Sequence, residues 1–381
     1  MSEGRPRFST AVCGVLGIEY PILQSGMGGV AGPFLAAEVC NAGGLGVLAG
    51  TLTPPDSLRA AIRELRANTD RPFGVNLLLL PEVREPQSTD VLADDAVAAV
   101  HAVLDPIRER LGLATSAVRP PTVPDLVSPA LEVIIEERVP VFSAGLGDPG
   151  PELTERLHAA GISTMVMVTS VADARQVEAS GADVIVAQGV EAGGHRSHFH
   201  KPSDGPAGDL GTLALVPEVV DAVDVPVVAA GGIVDGRGLV AALALGAVGV
   251  LMGSRFLVTR ESTAPEAHKK RLLEVGGDRT IITDVLSGRY ARVVANALTD
   301  AYGPGGPHGF AALPFPSQYI ANGDVFAAAG EADDADHQPL WAGQAIGRLE
   351  DLPWAADVVA DTVREAVDLV RSGLGGAVTL D

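Results

Sequence analysis

An alternation of short apolar runs with helical segments constrains the fold of this chain more than any other feature. Helical periodicity fills the intervals between the runs, and several helical segments start at an acidic residue or proline and stop at glycine. Such an alternation predicts a parallel sheet covered on both faces. Eight strands favour a closed (βα)8 barrel over an open doubly wound sheet, although closure itself leaves no mark in a sequence. The runs span 20–26, 44–50, 71–79, 139–145, 162–170, 183–189, 225–232 and 248–254.

Two segments interrupt the repeat. Residues 81–128 separate the third run from the fourth and contain a predicted helix, DDAVAAVHAVLDPIRERL. Residues 283–350 follow the last run and are predicted to form a cap or subdomain over one barrel end. We expect residues 1–282 to form the barrel with its insertion and 351–381 to provide a C-terminal helix that packs back on it. No stretch has the Gly/Ser composition of a flexible linker, which favours one domain with insertions.

The charge and cysteine content exclude several classes of partner. A formal net charge of −21 argues against nucleic acid or an anionic membrane, because both require a cationic surface. Cys13 and Cys40 form neither a disulfide framework nor a metal-binding spacing, which favours a reducing compartment. The N-terminus lacks the apolar run of a signal peptide, and no window reaches the ~18 apolar residues of a membrane span. We therefore expect a cytoplasmic protein.

Glycine-containing pairs end the seventh and eighth predicted strands, Gly231-Gly232 and Gly253-Ser254. The loops after these two strands are the common phosphate site of a barrel, where bare backbone N–H groups can hold an anion. Each pair alone would indicate only a tight turn. Together they favour a phosphorylated ligand.

The sixth predicted strand ends in QGVEAGGHRSHFH. We expect Gln188 to point out of the barrel mouth and read a heterocycle edge, since its amide is both donor and acceptor. Gly193 and Gly194 would let a flat ligand lie against backbone. His195 would then stand at the rim as a catalytic or ligand-contacting residue, the alternative being a solvated loop histidine.

Other polar residues in this region allow more than one interpretation. PILQSGMGG supplies a further floor of small residues after the first strand. Asn76 interrupts an apolar strand, and because an unpaired buried amide costs ~1–3 kcal/mol, it should bond a ligand or a neighbouring loop. The H-x-x-H-x-H pattern could offer imidazoles to zinc, but neither cysteines nor an HExxH motif accompanies it. We expect no metal site and assign His198 and His200 to a polar loop.

These motifs resemble the nitronate monooxygenase family, formerly the 2-nitropropane dioxygenases, and the related FMN-dependent enoyl-ACP reductases. The resemblance covers almost the whole chain through YPILQSGMGGVAGPFLAAEVCNAGGLGVLAG, RPFGVN, VAQGVEAGGHR, PVVAAGGIVDGRG, LMGSRFLVTRES and LWAGQ. It implies FMN in the barrel mouth. The implied FMN contacts are Gln24, Ser25, Gly26, Met27 and Gly28 at the ring, Asn76 and Gln188 on the flavin, Gly193 and Gly194 near the ribityl or phosphate group, and Gly231, Gly232, Leu251, Met252, Gly253 and Ser254 around the phosphate.

The resemblance also implies a reaction. FMN and O2 would convert a small alkyl nitronate to a carbonyl compound and nitrite, with His195 as the base for a neutral nitroalkane, uncharged near its ordinary pKa of ~6.5.

Two departures keep an NAD(P)H-dependent FMN reductase of an enoyl thioester or a quinone as the alternative. FSAGLGDPG (142–150) stands where many nitronate monooxygenases have a histidine-bearing stretch, and Gly26 stands where the family usually has a proline. A non-enzymatic FMN- or metal-binding barrel is the third interpretation. The apolar aromatic stretch 310–320 is expected to form a lid or a homodimer contact.

Overall fold

A computed structural model describes residues 8–85, 88–202, 210–303 and 310–373. Each of the eight apolar runs contains one parallel strand, as predicted. The barrel strands are β1 (Ile22–Gln24), β2 (Val47–Ala49), β3 (Gly74–Leu78), β4 (Val141–Gly145), β5 (Ser163–Val168), β6 (Val184–Gln188), β8 (Val227–Ala230) and β9 (Gly249–Met252). A two-residue strand, β7 (Gly194–His195), lies between β6 and β8 in the chain.

The eight strands close on themselves. They pair in the order β1-β9-β8-β6-β5-β4-β3-β2, which leaves β1 and β2 at the two edges. These edges meet just before β2, where Leu23 bridges Leu45 in parallel. The Leu45 carbonyl accepts from the Gln24 amide at 2.9 Å, and the Leu45 amide donates to the Ile22 carbonyl at 3.0 Å. The predicted (βα)8 barrel is confirmed.

Helices follow the strands as the periodicity predicts. In α3 the buried residues Leu58, Ile62 and Leu65 recur at helical spacing and face the strands. Side-chain caps begin two others, because Ser170 and Asp235 accept from the third amide of their helices. The helices up to β9 are α1 (Ala11–Leu16), α2 (Pro33–Asn41), α3 (Pro55–Asn68), α4 (Pro81–Arg84), α5 (Asp94–Arg110), α6 (Val127–Glu136), α7 (Gly150–Ala159), α8 (Val171–Ala179), α9 (Thr212–Val220) and α10 (Gly236–Ala244).

The core has two layers. Alternate residues of β6 show the division: Val184 and Val186 belong to the cluster inside the barrel, whereas Ile185 belongs to the cluster between strands and helices. Because both faces of the strands are largely buried, the strands are predominantly apolar, which is why they stand out in the sequence.

The insertion and the segment after the barrel pack on each other. Val100 and Leu104 of α5 share an apolar cluster with Val285 and Leu298. Arg108, only 2% exposed, donates from Nε to Asp324 at 2.8 Å. Beyond β9 the elements are α11 (Ser254–Leu257), α12 (Glu266–Glu274), β10 (Thr280–Thr283), β11 (Ala291–Val294), α13 (Ala297–Ala301), α14 (Ser317–Ala321), α15 (Gly323–Glu331) and α16 (Ala355–Ser372), with 3-10 turns at Thr89–Val91, Gly277–Arg279 and Gln344–Arg348.

A three-stranded antiparallel sheet joins this segment to the barrel. β11 pairs with β10 on one side and with β7 on the other. β10 straddles the predicted boundary at residue 282. The last helix, α16, buries Val359, Val363 and Ala366 and packs on α10 and α2. Among the described residues no helix is both long and apolar enough to cross a membrane.

Candidate active site

A cavity of about 480 Å³ lies at the C-terminal ends of the barrel strands. This is the end at which a barrel binds its ligands. The predicted site residues that line it are Ser25, Gly26, Met27, Gly28, Asn76, Gln188, Gly193, Gly194, His195, Gly231, Gly232, Leu251, Gly253 and Ser254.

Two predicted contacts, Gln24 and Met252, are not among the lining residues and are 0% and 1% exposed. The Gln24 side chain binds the backbone of Val47 instead: its Oε1 accepts from the amide at 3.0 Å and its Nε2 donates to the carbonyl at 3.2 Å. These bonds hold β1 against β2 at the seam where the barrel closes. Gln24 therefore supports the floor from below.

The Gln188 amide does not point freely out of the mouth as expected. Its Nε2 donates to the His195 carbonyl at 2.9 Å, and its Oε1 accepts from the Ser197 amide at 2.9 Å. The chain after β6 folds back over the strand end, so its backbone groups take up the amide. Gln188 lines the cavity, but its hydrogen bonds fix the position of His195.

Asn76 takes the second of the two alternatives allowed by the sequence. Its Nδ2 donates to Ser143 of the neighbouring strand β4, to Oγ at 3.0 Å and to the carbonyl at 3.3 Å. The side chain also lines the cavity.

At two points of the cavity floor the backbone leaves no room for a side chain. A Cβ on Gly193 would lie 2.4 Å from the carbonyl carbon of Ala342, and one on Gly231 would lie 2.8 Å from Thr212 Oγ1. Gly231 also has φ +115°, a conformation that favours glycine. Among the described residues we find no hydrogen-bond acceptor for the backbone amides of Gly231, Gly232, Gly253 and Ser254. This cradle fits a flat group with a phosphate.

His195 lies at the rim, paired in β7 with Ala291 of β11. Its Nε2 is 2.8 Å from Ser287 Oγ, and the buried Ser287 hydroxyl donates to the Arg289 carbonyl at 3.2 Å. With the hydroxyl proton assigned to that carbonyl, the imidazole proton is assigned to Nε2; the His195–Ser287 contact itself fits either tautomer. Nδ1 is left with a lone pair.

The pKa of His195 differs from the ordinary value that we expected. Burial, followed by the positive charge of Arg289, lowers the pKa of this imidazole to about 4. The expected neutral state at pH 7 is retained, but the imidazole is a weaker base than one at ~6.5.

Aromatic side chains from residues 283–350 cover His195. Trp341 lies with its ring centroid 5.2 Å from the imidazole, and Phe315 makes an edge contact at 5.9 Å. Tyr319 also lines the cavity. Residues 310–320 and LWAGQ stood out in the sequence. The irregular spacing of their aromatic residues, however, did not indicate which rings face the cavity.

Glu191 was missed by the sequence reasoning. It lines the cavity, and its carboxylate accepts from the Thr212 amide at 2.9 Å and hydroxyl at 2.8 Å. Its carbonyl accepts from the Gln344 amide at 2.9 Å, while Gly343 donates to Ser254 Oγ at 2.9 Å. The LWAGQ turn is thereby fixed to the floor.

The histidines of HRSHFH do not converge on one point. His195 lines the cavity, whereas the side chain of His200 is exposed. Within the described ranges, no group of three or more His, Cys, Asp or Glu residues has the arrangement of a metal site.

Comparison with known proteins identifies the family. The family model described as nitronate monooxygenase matches residues 9–365. The chain belongs to the nitronate monooxygenase family. The nitronate monooxygenase of Paraburkholderia phytofirmans is 39% identical over 363 residues, covering 93% of this chain and 94% of that protein. That of Pseudomonas aeruginosa is 40% identical over 356 residues, covering 92% and 97%. The chain is thus a flavin-dependent oxidoreductase of the kind that oxidises nitronates.

Solved structures agree with this membership. Nitroalkane oxidase from Streptomyces ansochromogenes superimposes with a TM-score of 0.85 at 36% identity, covering 95% of this chain and 99% of the other. FabK from Thermotoga maritima gives a TM-score of 0.73 at 30% identity, covering 97% and 99%. The nitronate monooxygenase family and the FabK fold therefore share this barrel.

Proposed function

We propose that this chain oxidises small alkyl nitronates with FMN and O2, giving a carbonyl compound and nitrite, and that His195 is the base for neutral nitroalkanes. One observation carries the proposal: the His195 imidazole, with Nε2 2.8 Å from Ser287 Oγ, stands at the rim of a cavity floored by glycine backbone. The family supplies the reaction class.

The residues present fit FMN. The four amides of Gly231, Gly232, Gly253 and Ser254 would hold its phosphate, and the loop from Ser25 to Gly28 would lie along its ring. When bound, the flavin supplies the electron transfer that a protein side chain cannot.

His195 would remove the α-proton of a nitroalkane at Nδ1. The product would be a nitronate anion beside an imidazolium, and the anion would stabilise the imidazolium that burial disfavours. The Ser287 hydroxyl, 2.8 Å from Nε2, would hold the ring in position during the transfer. Phe315 and Trp341 exclude water from this ion pair, which strengthens it.

The overall chemistry balances without a reductant. Two nitronates and one O2 would give two carbonyl compounds and two nitrite ions: each nitronate carbon gains one oxygen atom as its carbon–nitrogen bond breaks. The substrate itself provides the electrons, so no nicotinamide is required.

An NAD(P)H-dependent FMN reductase is the second candidate, because the FabK structure covers almost the whole chain and FSAGLGDPG resembles the reductases. It differs from the first candidate in its source of electrons. The cytoplasmic location and a homodimer formed through 310–320 stay predictions.

The deciding experiment measures O2 uptake and nitrite formation by the FMN-loaded protein with ethylnitronate and propionate 3-nitronate, beside NADH oxidation. We expect uptake with either nitronate and none that depends on NADH. Rapid anaerobic bleaching of the flavin by NADH would instead establish the reductase. A protein that shows no flavin absorbance and does not take up added FMN would contradict both.

The base role has its own test in His195→Asn. We expect the variant to keep FMN and to lose about 10²–10⁴-fold in kcat/KM for a neutral nitroalkane. Preformed nitronate needs no proton removal, so it should lose far less. An equal loss on both substrates would remove the base role.

A further inference from the structure

Arg289 lies directly behind the base. Its carbonyl accepts from the Ser287 hydroxyl at 3.2 Å, and that hydroxyl accepts from His195 Nε2 at 2.8 Å. Its side chain is only 4% exposed. The base, the hydroxyl and the arginine therefore form one continuous chain of contacts.

The Arg289 guanidinium is incompletely neutralised. Its Nη2 reaches the two oxygens of Glu82 at 3.3 and 3.4 Å. Its Nη1 is buried, and among the described residues it has no hydrogen-bond partner. Glu82 belongs to α4 in the insertion and is 31% exposed, so water screens the carboxylate more than the guanidinium. A net positive field is left behind His195.

Other groups around His195 do not cancel this field. The two aromatic rings that cover His195, those of Phe315 and Trp341, carry no charge. On its own strand and the paired one, Arg196 donates to the Gly189 carbonyl at 2.7 Å and Arg292 to the Val190 carbonyl at 2.8 Å. His268 lies behind Trp341, bonded to its carbonyl.

We propose that Arg289, only partly offset by Glu82, lowers the proton affinity of His195 beyond the effect of burial, and that as a positioning residue it biases the site toward anionic nitronates over neutral nitroalkanes. A cation beside an imidazole disfavours the imidazolium and attracts an anion. The lowered pKa of His195, to which Arg289 contributes, agrees in direction. This proposal rests on the proposed function for its substrate classes, but not for its effect on His195.

A purely structural latch between the insertion and the cap is the competing explanation. The two explanations predict different changes in the pKa of His195. If the ion pair is only a latch, removing either partner should have the same effect. If its charge acts on His195, removing Arg289 and removing Glu82 should shift the pKa in opposite directions.

The test compares Arg289→Met with Glu82→Gln in the FMN-loaded protein. His195 is titrated by NMR of histidine-labelled protein between pH 5 and 8, with its signal assigned from His195→Asn. We expect the wild type and Glu82→Gln to stay neutral over this range. In Arg289→Met burial remains, so a rise of about one pKa unit, or about tenfold in proton affinity, should leave His195 about half protonated at pH 5, the lower end of this range. Equal behaviour of the two variants would overturn the proposal.

Turnover gives the second readout. The ratio of kcat/KM for ethylnitronate to that for nitroethane should fall roughly three- to tenfold in Arg289→Met and rise in Glu82→Gln. Arg289→Lys keeps the charge without the fork geometry, so it should keep His195 neutral. If Arg289→Met fails to fold, Arg289→Gln replaces it in both measurements.

Arg156→Met is the matched control, because it removes one arginine from an ion pair between two outer helices, α6 and α7. It should change neither readout. The NMR titration needs no turnover, so a protein that fails to oxidise nitronates would contradict the proposed function alone. An unchanged His195 titration in Arg289→Met would contradict this inference alone.

Discussion

The floor and the roof of the cavity are built in opposite ways. The floor consists of strand-end loops that present backbone, as at Gly193, Gly231 and Gly253, and each loop is anchored by a buried barrel strand. The roof presents large side chains, Phe315, Tyr319 and Trp341, from a segment outside the barrel. Backbone amides give a fixed, shape-specific cradle, while side chains can change without disturbing the sheet. The floor is suited to a constant cofactor and the roof to a variable substrate.

His195 belongs to both regions. It ends the loop that follows β6, yet its strand pairs with β11 of the roof and its imidazole bonds Ser287 there. The proposed base therefore lies between the floor and the roof, and its environment depends on the roof.

The largest expected effect comes from breaking the floor. In Gly253→Ala the new Cβ meets nothing closer than Met27 Sδ at 3.8 Å, so the fold should persist, but the methyl group intrudes on the cavity. We expect the FMN affinity to fall by about tenfold or more, with thermal unfolding of the FMN-free protein unchanged; each tenfold corresponds to ~1.4 kcal/mol. Flavin titration by fluorescence measures the affinity.

Gly231→Ala is the matched comparison. Here the new Cβ meets Thr212 Oγ1 at 2.8 Å and the residue has φ +115°. Stability should fall by about 1–3 kcal/mol together with FMN affinity. Full FMN affinity in Gly253→Ala would show that the floor does not hold the cofactor.

The prediction of intermediate size concerns the stability of the roof at acidic pH. His268 is 3% exposed and bonds the Trp341 carbonyl at 3.1 Å, and burial lowers its pKa to about 4. In the unfolded chain this histidine has a pKa near ~6.5, so it binds a proton there first as the pH falls. The part of the free energy of unfolding that depends on a neutral His268 is therefore lost between pH 6.5 and 4.

His268→Gln should remove about 2–3 kcal/mol of that loss between pH 7.5 and 4.5, because glutamine does not titrate there. Urea unfolding at the two pH values measures it. His200→Gln, on an exposed side chain, serves as the control. An unaltered pH dependence in His268→Gln would show that this histidine does not carry the acid sensitivity of the roof.

The smallest effect concerns the roof ring over the base. Trp341→Leu removes the ring 5.2 Å from His195 but keeps the backbone carbonyl that His268 binds. We expect a change of roughly three- to tenfold in the preference between short and long nitronates, with FMN affinity unchanged. Steady-state kinetics on a series of linear nitronates measures it. If Trp341→Leu lost as much FMN affinity as Gly253→Ala, the roof would contribute to cofactor binding as strongly as the floor, and the proposed division of roles would be wrong.

Prediction from the sequence succeeded where a residue type has one physical meaning. Eight apolar runs can be buried on both faces only in a covered parallel sheet, and Gly231-Gly232 and Gly253-Ser254 had to lie at the ends of β8 and β9. It was incomplete where a polar group had several nearby partners. Gln188 and Gln24 were both expected at the ligand; their amides bind the His195 carbonyl and the Val47 backbone, and Gln188 also lines the cavity.

By itself, then, the sequence determined the barrel, the glycine floor and the position of one histidine at its rim, because these follow from periodicity and from the absence of side chains. The tertiary structure decided what surrounds that histidine. Ser287, Arg289, Phe315 and Trp341 come from a segment about 90 or more residues further along the chain. Since their spacing has no period, only the packed fold reveals which of them reach His195 and lower its pKa.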